Sequence, residues 1–457
     1  MTDKNHWFVE NLKNYSNQQA LAFNNIDYTY GELLDQIENY DKELKEIVEV
    51  GSIVALVSDY SFYSISIFLC LLKKKCIIVP ITSTIEEDIK LKIYESNSDI
   101  VITIKDDGLY NLNQNENKSS KNNLNLIENL RKNKNAGLIL FSSGSTGKPK
   151  AMLQNLENLC KVHKGKRPKP IVMMIFLMFD HIGGINTLLG SLMIGGVMVI
   201  PSKRDPDHVS KLIERYKVKV LPASPTFLNL LLISESHNKY DLSSLRMITY
   251  GTESMPESLL HKLRSSFKRA KFLQTFGTSE TGIAQMKSKS SDSTFMKFDD
   301  PNLEHKIIEG KLFLRSNTQI SGYLNSSMES FDEDGWFDTG DLAEETDDGF
   351  IKIIGRSKEI INVGGEKVLP NEVESILLEM EQIDDCIVYA KQNPIMGQSV
   401  NADIVTTNEI SNRDARRLIQ KYCMNKLEAY KIPSSVKVVS KTNFGSRFKK
   451  IRLQRSD

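Results

Sequence analysis

The apolar run Leu138-Ile-Leu-Phe141 breaks into Ser142-Ser143-Gly144-Ser145-Thr146-Gly147-Lys148-Pro149-Lys150, a stretch of hydroxyls, glycines and lysines. Backbone amides freed by glycine, with hydroxyls and a lysine beside them, are what a polyphosphate needs. Taken alone, a Gly/Ser loop is equally well a polar turn after a strand. It is not a Walker P-loop, because Ser142 stands where that motif has its first Gly and Pro149 where it has its Mg2+-binding Ser or Thr. Further on, Asp341 in Thr339-Gly-Asp341 would by itself be a turn residue. Phe448-Lys-Lys-Ile-Arg452 would by itself be a solvated basic tail.

These segments do not occur by themselves. In order, and at plausible spacing, come Gly251-Thr-Glu-Ser-Met-Pro256, Gln274-Thr-Phe-Gly-Thr-Ser-Glu280, Trp336-Phe-Asp-Thr-Gly-Asp-Leu342 and a long motif from Gly355-Arg-Ser-Lys358 to Glu374. With the Ser142–Lys150 loop they resemble the adenylate-forming superfamily: acyl-CoA synthetases, adenylation domains of peptide synthetases, and firefly luciferase. The resemblance runs from about Tyr28, in Tyr28-Thr-Tyr-Gly-Glu-Leu-Leu34, to about Arg452. It is specific for the superfamily and silent on the substrate.

The resemblance implies ATP and Mg2+ as cofactors, and roles for individual residues. Ser142, Ser143, Gly144, Ser145, Thr146, Gly147 and Lys150 would hold the β and γ phosphates. Phe276 would lie against the adenine ring, flanked by Gln274, Thr275, Gly277 and Thr278, while Gly251, Thr252 and Glu253 line the other face; a flat aromatic beside a glycine suits base stacking. Glu280 would carry Mg2+, a hard ion that takes oxygen ligands, and Ser279 replaces the family's usual Thr. Asp341 and Arg356 would meet the ribose. Lys358 takes the pivot position of the family's hinge, where Ser357 and Gly364-Gly365 leave the backbone free to turn.

The family's usual ending, Pro-x-Thr-x-x-Gly-Lys-x-x-Arg, is not written here. An ungapped count from Tyr430-Lys-Ile-Pro433 puts the catalytic lysine at Lys449 and the arginine at Arg452, with Phe448 replacing the usual Gly. Anchoring on Gly445 instead puts Ser446 at the lysine position, and Lys450 is a further alternative.

Positioning these residues needs a sheet. Ile53-Val-Ala-Leu-Val57, a helix over Phe68–Leu72, Cys76-Ile-Ile-Val79, Val197-Met-Val-Ile200 and a helix around Val209–Tyr216 repeat strand, helix and strand, which predicts a parallel, doubly wound α/β sheet. Asn111–Asn135, dense in Asn and Lys, predicts a surface connection or weakly ordered helix. Gly349–Gly355 alternates like a hairpin strand, and Pro370 opens a helix through Met380. The expected division is 1–355, a large N-terminal AMP-binding domain with a small β-barrel-like part, and 356–457, a small mobile α+β domain.

With 457 residues and a net charge of +1, 26% charged and 40% hydrophobic, the chain is an ordinary globular protein without the basic excess of a nucleic-acid binder. Its five cysteines lack any C-x-x-C spacing, which fits a reducing cytoplasm. Ile171–Pro201 is very apolar, but Asp180, His181 and repeated glycines make it a buried core, not a membrane span.

The implied reaction joins a small carboxylate to ATP as an acyl-adenylate, then passes the acyl group to CoA or to the phosphopantetheine of an acyl or peptidyl carrier protein supplied in trans. His181 and Gly184, in His181-Ile-Gly-Gly184, look like the His-x-x-Gly element beside the acyl and thiol channels, which points to a fatty or aryl acid. Phe179-Asp180 also resembles the Phe-Asp of amino-acid adenylation domains, where the carboxylate meets an ammonium. A stand-alone amino-acid adenylating enzyme therefore stays open, as does a catalytically silent nucleotide-binding relative.

Overall fold

Ile53–Val57, Ile77–Ile81 and Ile100–Ile104 are rich in β-branched residues and largely buried, the composition of strands covered on both faces. In the computed structural model, which describes residues 6–119, 123–142 and 148–452, they pair in parallel, Val54 opposite both Ile78 and Ile100. The connecting helix Phe62–Lys73 is buried along most of its length and starts at a capping box between Ser61 and Ser64. Gly137–Ser142 extends the parallel set, and Lys150–Asn155 folds back antiparallel with Ser142 opposite Lys150. The two ends of the Gly/Ser loop are thereby held side by side.

Contacts divide the chain into two compact units. One gathers Met1–Pro222, Gly277–Ile283 and Arg315–Phe337. Besides the sheet above, it holds Val172–Met174, Val197–Ile200 and Gln19–Phe23 in parallel. Helix Ile182–Met193 and the flanking strands bury Met174, Met193 and Met198, so these methionines are core. Among the described residues no helix is long and apolar enough to cross a membrane.

The other unit gathers Ala223–Phe276, Ala284–Leu314 and Asp338–Asp457. Met247–Tyr250 and Lys271–Gln274 pair in parallel. A six-stranded antiparallel sheet, which includes Phe337–Glu345 and Ile351–Arg356, packs on Met296, Leu312, Leu314 and Ile351. A further core joins helices Pro370–Leu377 and Asn412–Cys423 to strands Ile383–Asn393 and Gly397–Thr406. The five cysteines are free and buried, and burial pushes the thiols of Cys70 and Cys76 up to about 12.

Two local expectations are corrected and a third is met in part. The helix from Pro370 ends at Leu377, short of Met380. Asn111–Asn135 holds a helix, Leu124–Lys132, as one of the two readings had it, and begins within an edge strand, Tyr110–Gln114, that neither reading included. Gly364 and Gly365, at φ +61° and +98°, form the two-residue turn between Ile361–Val363 and Glu366–Val368, so the turn consumes their freedom.

Candidate active site

Asp341 and Arg356 are direct cross-strand partners in the antiparallel pair Phe337–Glu345 and Ile351–Arg356. Arg356 Nε donates to Asp341 Oδ1 at 2.9 Å. The turn before Asp341 is pinned: Gly340 sits at φ +71°, Thr339 Oγ1 donates to the Leu312 carbonyl at 2.8 Å and accepts from Asp341 N at 3.1 Å. Burial holds the Asp341 carboxyl above its ordinary pKa, against the pull of Arg356 and Lys449.

The segment 448–452 separates the adjacent lysines. Lys450 Nζ meets Asp385 Oδ1 at 3.2 Å and the Cys386 carbonyl at 2.5 Å, and its ammonium is held above its ordinary pKa by Asp385 and Glu374 against burial. Arg452 donates to Glu374 and Asn371, both at 2.8 Å, and to Glu359 at 3.1 Å. Lys449 instead lies within electrostatic reach of Arg356, Glu253, Asp341 and Glu359, and burial with Arg356 lowers its pKa. Ser446 is exposed in a turn closed by Phe448 N donating to the Gly445 carbonyl at 2.9 Å. Phe448 sits at φ +51°, the left-handed region that favours glycine, which gives a physical reason for the family's Gly there. Its ring meets Phe227 edge-on at 5.3 Å and stacks on Phe444 at 5.6 Å, while its carbonyl accepts from Ser224 Oγ at 2.7 Å.

At the ends of the parallel pair, Tyr250 faces Gln274. A Cβ on Gly251 would come within 2.6 Å of the Thr275 carbonyl, so only glycine fits. Thr275 donates N and Oγ1 to the Tyr250 carbonyl, at 2.8 and 3.1 Å. Thr252, a β-branched residue, is held at φ +72°. Glu253 accepts from Thr226 N at 2.7 Å and Lys450 N at 3.2 Å, and burial raises its pKa. Gln274 is buried and its Oε1 finds no donor among the described residues. Phe276 lies edge-on to Phe298 at 6.0 Å. Lys358 is exposed in the short turn Ser357–Glu359.

In the first unit, Gly277 and Thr278 pair with Gly282 and Ile283 in a tight hairpin, where a Cβ on Gly277 would lie 2.4 Å from the Gly282 carbonyl. Thr281 N donates to Thr278 Oγ1 at 3.0 Å, and Gln154 Nε2 donates to the Ser279 carbonyl at 2.5 Å. Tyr323 hydroxyl donates to Glu280 Oε1 at 3.2 Å, and the Lys150 ammonium lies 5.1 Å over the Tyr323 ring. Ser143, Gly144, Ser145, Thr146 and Gly147 lie outside the described residues.

His181 caps helix Ile182–Met193, its Nδ1 accepting from Gly183 N at 3.0 Å, so the neutral ring carries its proton on Nε2. A Cβ on Gly184 would fall 2.2 Å from the Met178 carbonyl, so close packing explains that glycine. Asp180 is buried and acts on Tyr60 together with Asp59 and Arg204, which are themselves paired at 2.6 Å. Tyr60 stacks on Phe179 at 4.4 Å. Sequence reasoning missed Tyr60, Gln154, Ser224 and Tyr323: each is an ordinary core or strand residue until its distant partner is known.

The AMP-binding enzyme family matches residues 8–309 and its C-terminal domain matches residues 372–444, so this chain belongs to the AMP-binding enzyme family. It is similar to 4-coumarate-CoA ligase 1 of Narcissus pseudonarcissus, 29% identical over 62% of this chain and 58% of that protein. It is also similar to the indoleacetate–CoA ligase of Aromatoleum aromaticum, 29% identical over 65% of this chain and 62% of that one. The chain thus spans less than two thirds of the length of these curated relatives. Among solved structures, an anthranilate CoA ligase in complex with anthranoyl-AMP superposes with a TM-score of 0.81 at 20% identity, covering 98% of this chain and 96% of that one. The o-succinylbenzoate CoA synthetase of Bacillus subtilis gives 0.78 at 21% identity, covering 100% and 99%. These structures share the fold.

Proposed function

We propose that the protein activates a carboxylic acid with ATP as an acyl-adenylate and then transfers the acyl group to a thiol, as an acid–thiol ligase. One observation carries this reading: of two adjacent lysines, Lys450 is bound into the C-terminal core while Lys449 lies in the field of Asp341 and Arg356. In the first half-reaction the substrate carboxylate attacks the α-phosphorus and pyrophosphate leaves, a step that needs positioning and charge neutralisation more than a protein nucleophile. Lys449 neutralises the approaching carboxylate and the α-phosphate. Asp341 accepts from the ribose hydroxyls and Arg356 orients it. Phe276 offers a ring face to the adenine, and the Gln274 Oε1 acceptor, buried without a donor among the described residues, suits an amino group.

The donor set also fits Mg2+. Among the described residues no group of three or more His, Cys, Asp or Glu could hold a metal ion by itself, and Mg2+ takes one or two carboxylates with phosphate oxygens and its own waters. Glu280 would hold the ion, which when bound neutralises charge on the departing pyrophosphate. Residues 142–147 with Lys150 would cradle the β and γ phosphates. The second half requires residues 356–457 to turn about Lys358, withdrawing Lys449 before the thiol enters.

We assign a fatty or aryl acid as substrate, and CoA as thiol, with a carrier protein in trans as the alternative acceptor. The support is twofold: the relatives above bear the names of 4-coumarate and indoleacetate CoA ligases, and Asp180 is buried in the neighbourhood of Tyr60, where Arg204 and Asp59 also act. Buried free cysteines suit a cytoplasmic setting. A carboxylate panel screened by pyrophosphate release, repeated with CoA and with a pantetheinylated carrier, tests the assignment. Release with amino acids alone would overturn the substrate class.

A further inference from the structure

Residues 321–325 are zipped onto the strand that leaves the Gly/Ser loop. Ser321 N donates to the Leu153 carbonyl at 2.7 Å, Tyr323 pairs with Met152, and Leu324 N donates to the Ala151 carbonyl at 2.9 Å. Two polar side chains of this short segment, Tyr323 and Asn325, then do different things. Asn325 uses its whole amide: Oδ1 accepts from Ala151 N at 2.9 Å, and Nδ2 donates to the Pro149 carbonyl at 3.0 Å and to Glu95 at 2.9 Å. It therefore grips the backbone on both sides of Lys150. Tyr323, only 3% exposed, carries the Lys150 ammonium over its ring and donates its hydroxyl to Glu280.

We propose that Tyr323 and Asn325 are positioning residues that couple Lys150 to Glu280, so that the phosphate-binding cation and the metal-binding carboxylate are set as one unit against the ATP polyphosphate. The inference rests on the reading of Lys150 and Glu280 given above. Its physical basis is that a long lysine and a glutamate each lose several rotamers on meeting a ligand. Contacts made beforehand reduce that loss at binding. A tyrosine serves both at once because its ring attracts a cation while its hydroxyl donates to an anion. The chain places it on the strand whose next polar residue clamps the loop exit.

The test is calorimetric binding of a non-hydrolysable ATP analogue, with and without Mg2+, to the full chain and its variants. In the unaltered protein Mg2+ should tighten binding. Tyr323→Phe keeps the ring beneath Lys150 and loses only the hydroxyl, so the analogue affinity without Mg2+ should stay within about twofold while the tightening by Mg2+ shrinks by about fivefold or more, on the order expected for a hydrogen bond to a charged group. Asn325→Ala should weaken binding with and without Mg2+ by similar factors, keeping the tightening. Glu280→Gln should abolish the tightening and serves as reference. Circular dichroism melting checks that each variant is folded; Tyr323→Phe is near-isosteric and keeps the packing. If the unaltered protein binds no analogue, or Glu280→Gln keeps the full tightening, the reading of the site falls. If both behave as expected but Tyr323→Phe keeps the full tightening, the coupling role alone is overturned.

Discussion

Lys450 Nζ and Asp385 Oδ1 meet at 3.2 Å, with side chains 10% and 7% exposed, and this buried ion pair ties the end of the described chain to the C-terminal core. Thr442 Oγ1 also donates to Asp385, and Glu374 lies 3.9 Å from the same ammonium. Adjacent lysines are thus given unlike work by partners more than sixty residues away in sequence.

Lys449→Ala is therefore expected to lower acid-dependent ATP–pyrophosphate exchange by about 10²-fold or more while leaving thioester formation from supplied acyl-adenylate in place. Lys450→Ala strands Asp385 and Glu374 without their cation and should cost about 3 to 5 kcal/mol of stability. Exchange kinetics and urea unfolding separate the two; a reversal of the pattern moves the catalytic register by one residue.

The lowered pKa of Lys449 has a signed consequence. In the proposed reaction adenylation uses its ammonium, so activity should fall as pH rises through a value below the ordinary lysine 10.5. For stability the direction is opposite: the unfolded chain holds this proton more tightly than the folded one, so Lys449 contributes a penalty present at neutral pH that is relieved as pH rises from its folded pKa toward 10.5. Glu253 raises the Lys449 pKa. Glu253→Gln should move the alkaline limb of kcat/KM to lower pH, and a limb that stays put would remove Glu253 from the field of Lys449.

Phe448 offers a test of backbone strain. Phe448→Ala keeps a side chain at φ +51° and loses the contacts with Phe227 and Phe444, whereas Phe448→Gly loses the same contacts and relieves the strain. The alanine variant should be less stable than the glycine variant by roughly 1 kcal/mol, measured by chemical denaturation. Equal stabilities would mean that the left-handed geometry carries no penalty.

Lys358→Pro should fold normally and fix φ near about −65° at the pivot. Impairing one half-reaction at least tenfold more than the other is the expected result, read by assaying pyrophosphate exchange and thioester formation separately. Equal loss in both halves would count against a turning C-terminal domain.

Asp180→Asn is expected to alter stability more than selectivity, because the carboxylate belongs to the cluster of Tyr60, Asp59 and Arg204. A panel of acids combined with melting curves decides this. Selective loss of amino-acid-dependent pyrophosphate release at unchanged Tm would mark Asp180 as an ammonium ligand.

Where apolar periodicity controls structure, the fold can be read directly: Val197–Ile200 is a strand at the residues expected, and Ile171–Pro201 is core. Tyr110–Gln114 escaped because an edge strand is secured by backbone pairing, here Ile102 with Leu112, and needs little apolar alternation. Helix Pro370–Leu377 ends early although Leu378 and Met380 are apolar, since both are buried in the C-terminal core without being helical. The motifs located Asp341, Arg356 and Glu280 by type. They could not pair Lys450 with Asp385, nor bring Tyr323 to Glu280, because those contacts depend on partners that only folding assembles.

The deep burial of Cys70, Cys76, Cys160, Cys386 and Cys423 has a use at the bench and a meaning for the chemistry. Thiols held in the un-ionised state within a packed interior are poor nucleophiles, so in the proposed reaction none of these five would compete with the delivered thiol for an energised acyl group. The same inertness leaves a silent background for labelling. Ile395, 89% exposed at the tip between strands Ile383–Asn393 and Gly397–Thr406, can be changed to cysteine and given a fluorophore without dye reaching the native thiols. The proposed turning of the C-terminal residues during turnover can then be looked for in a single molecule.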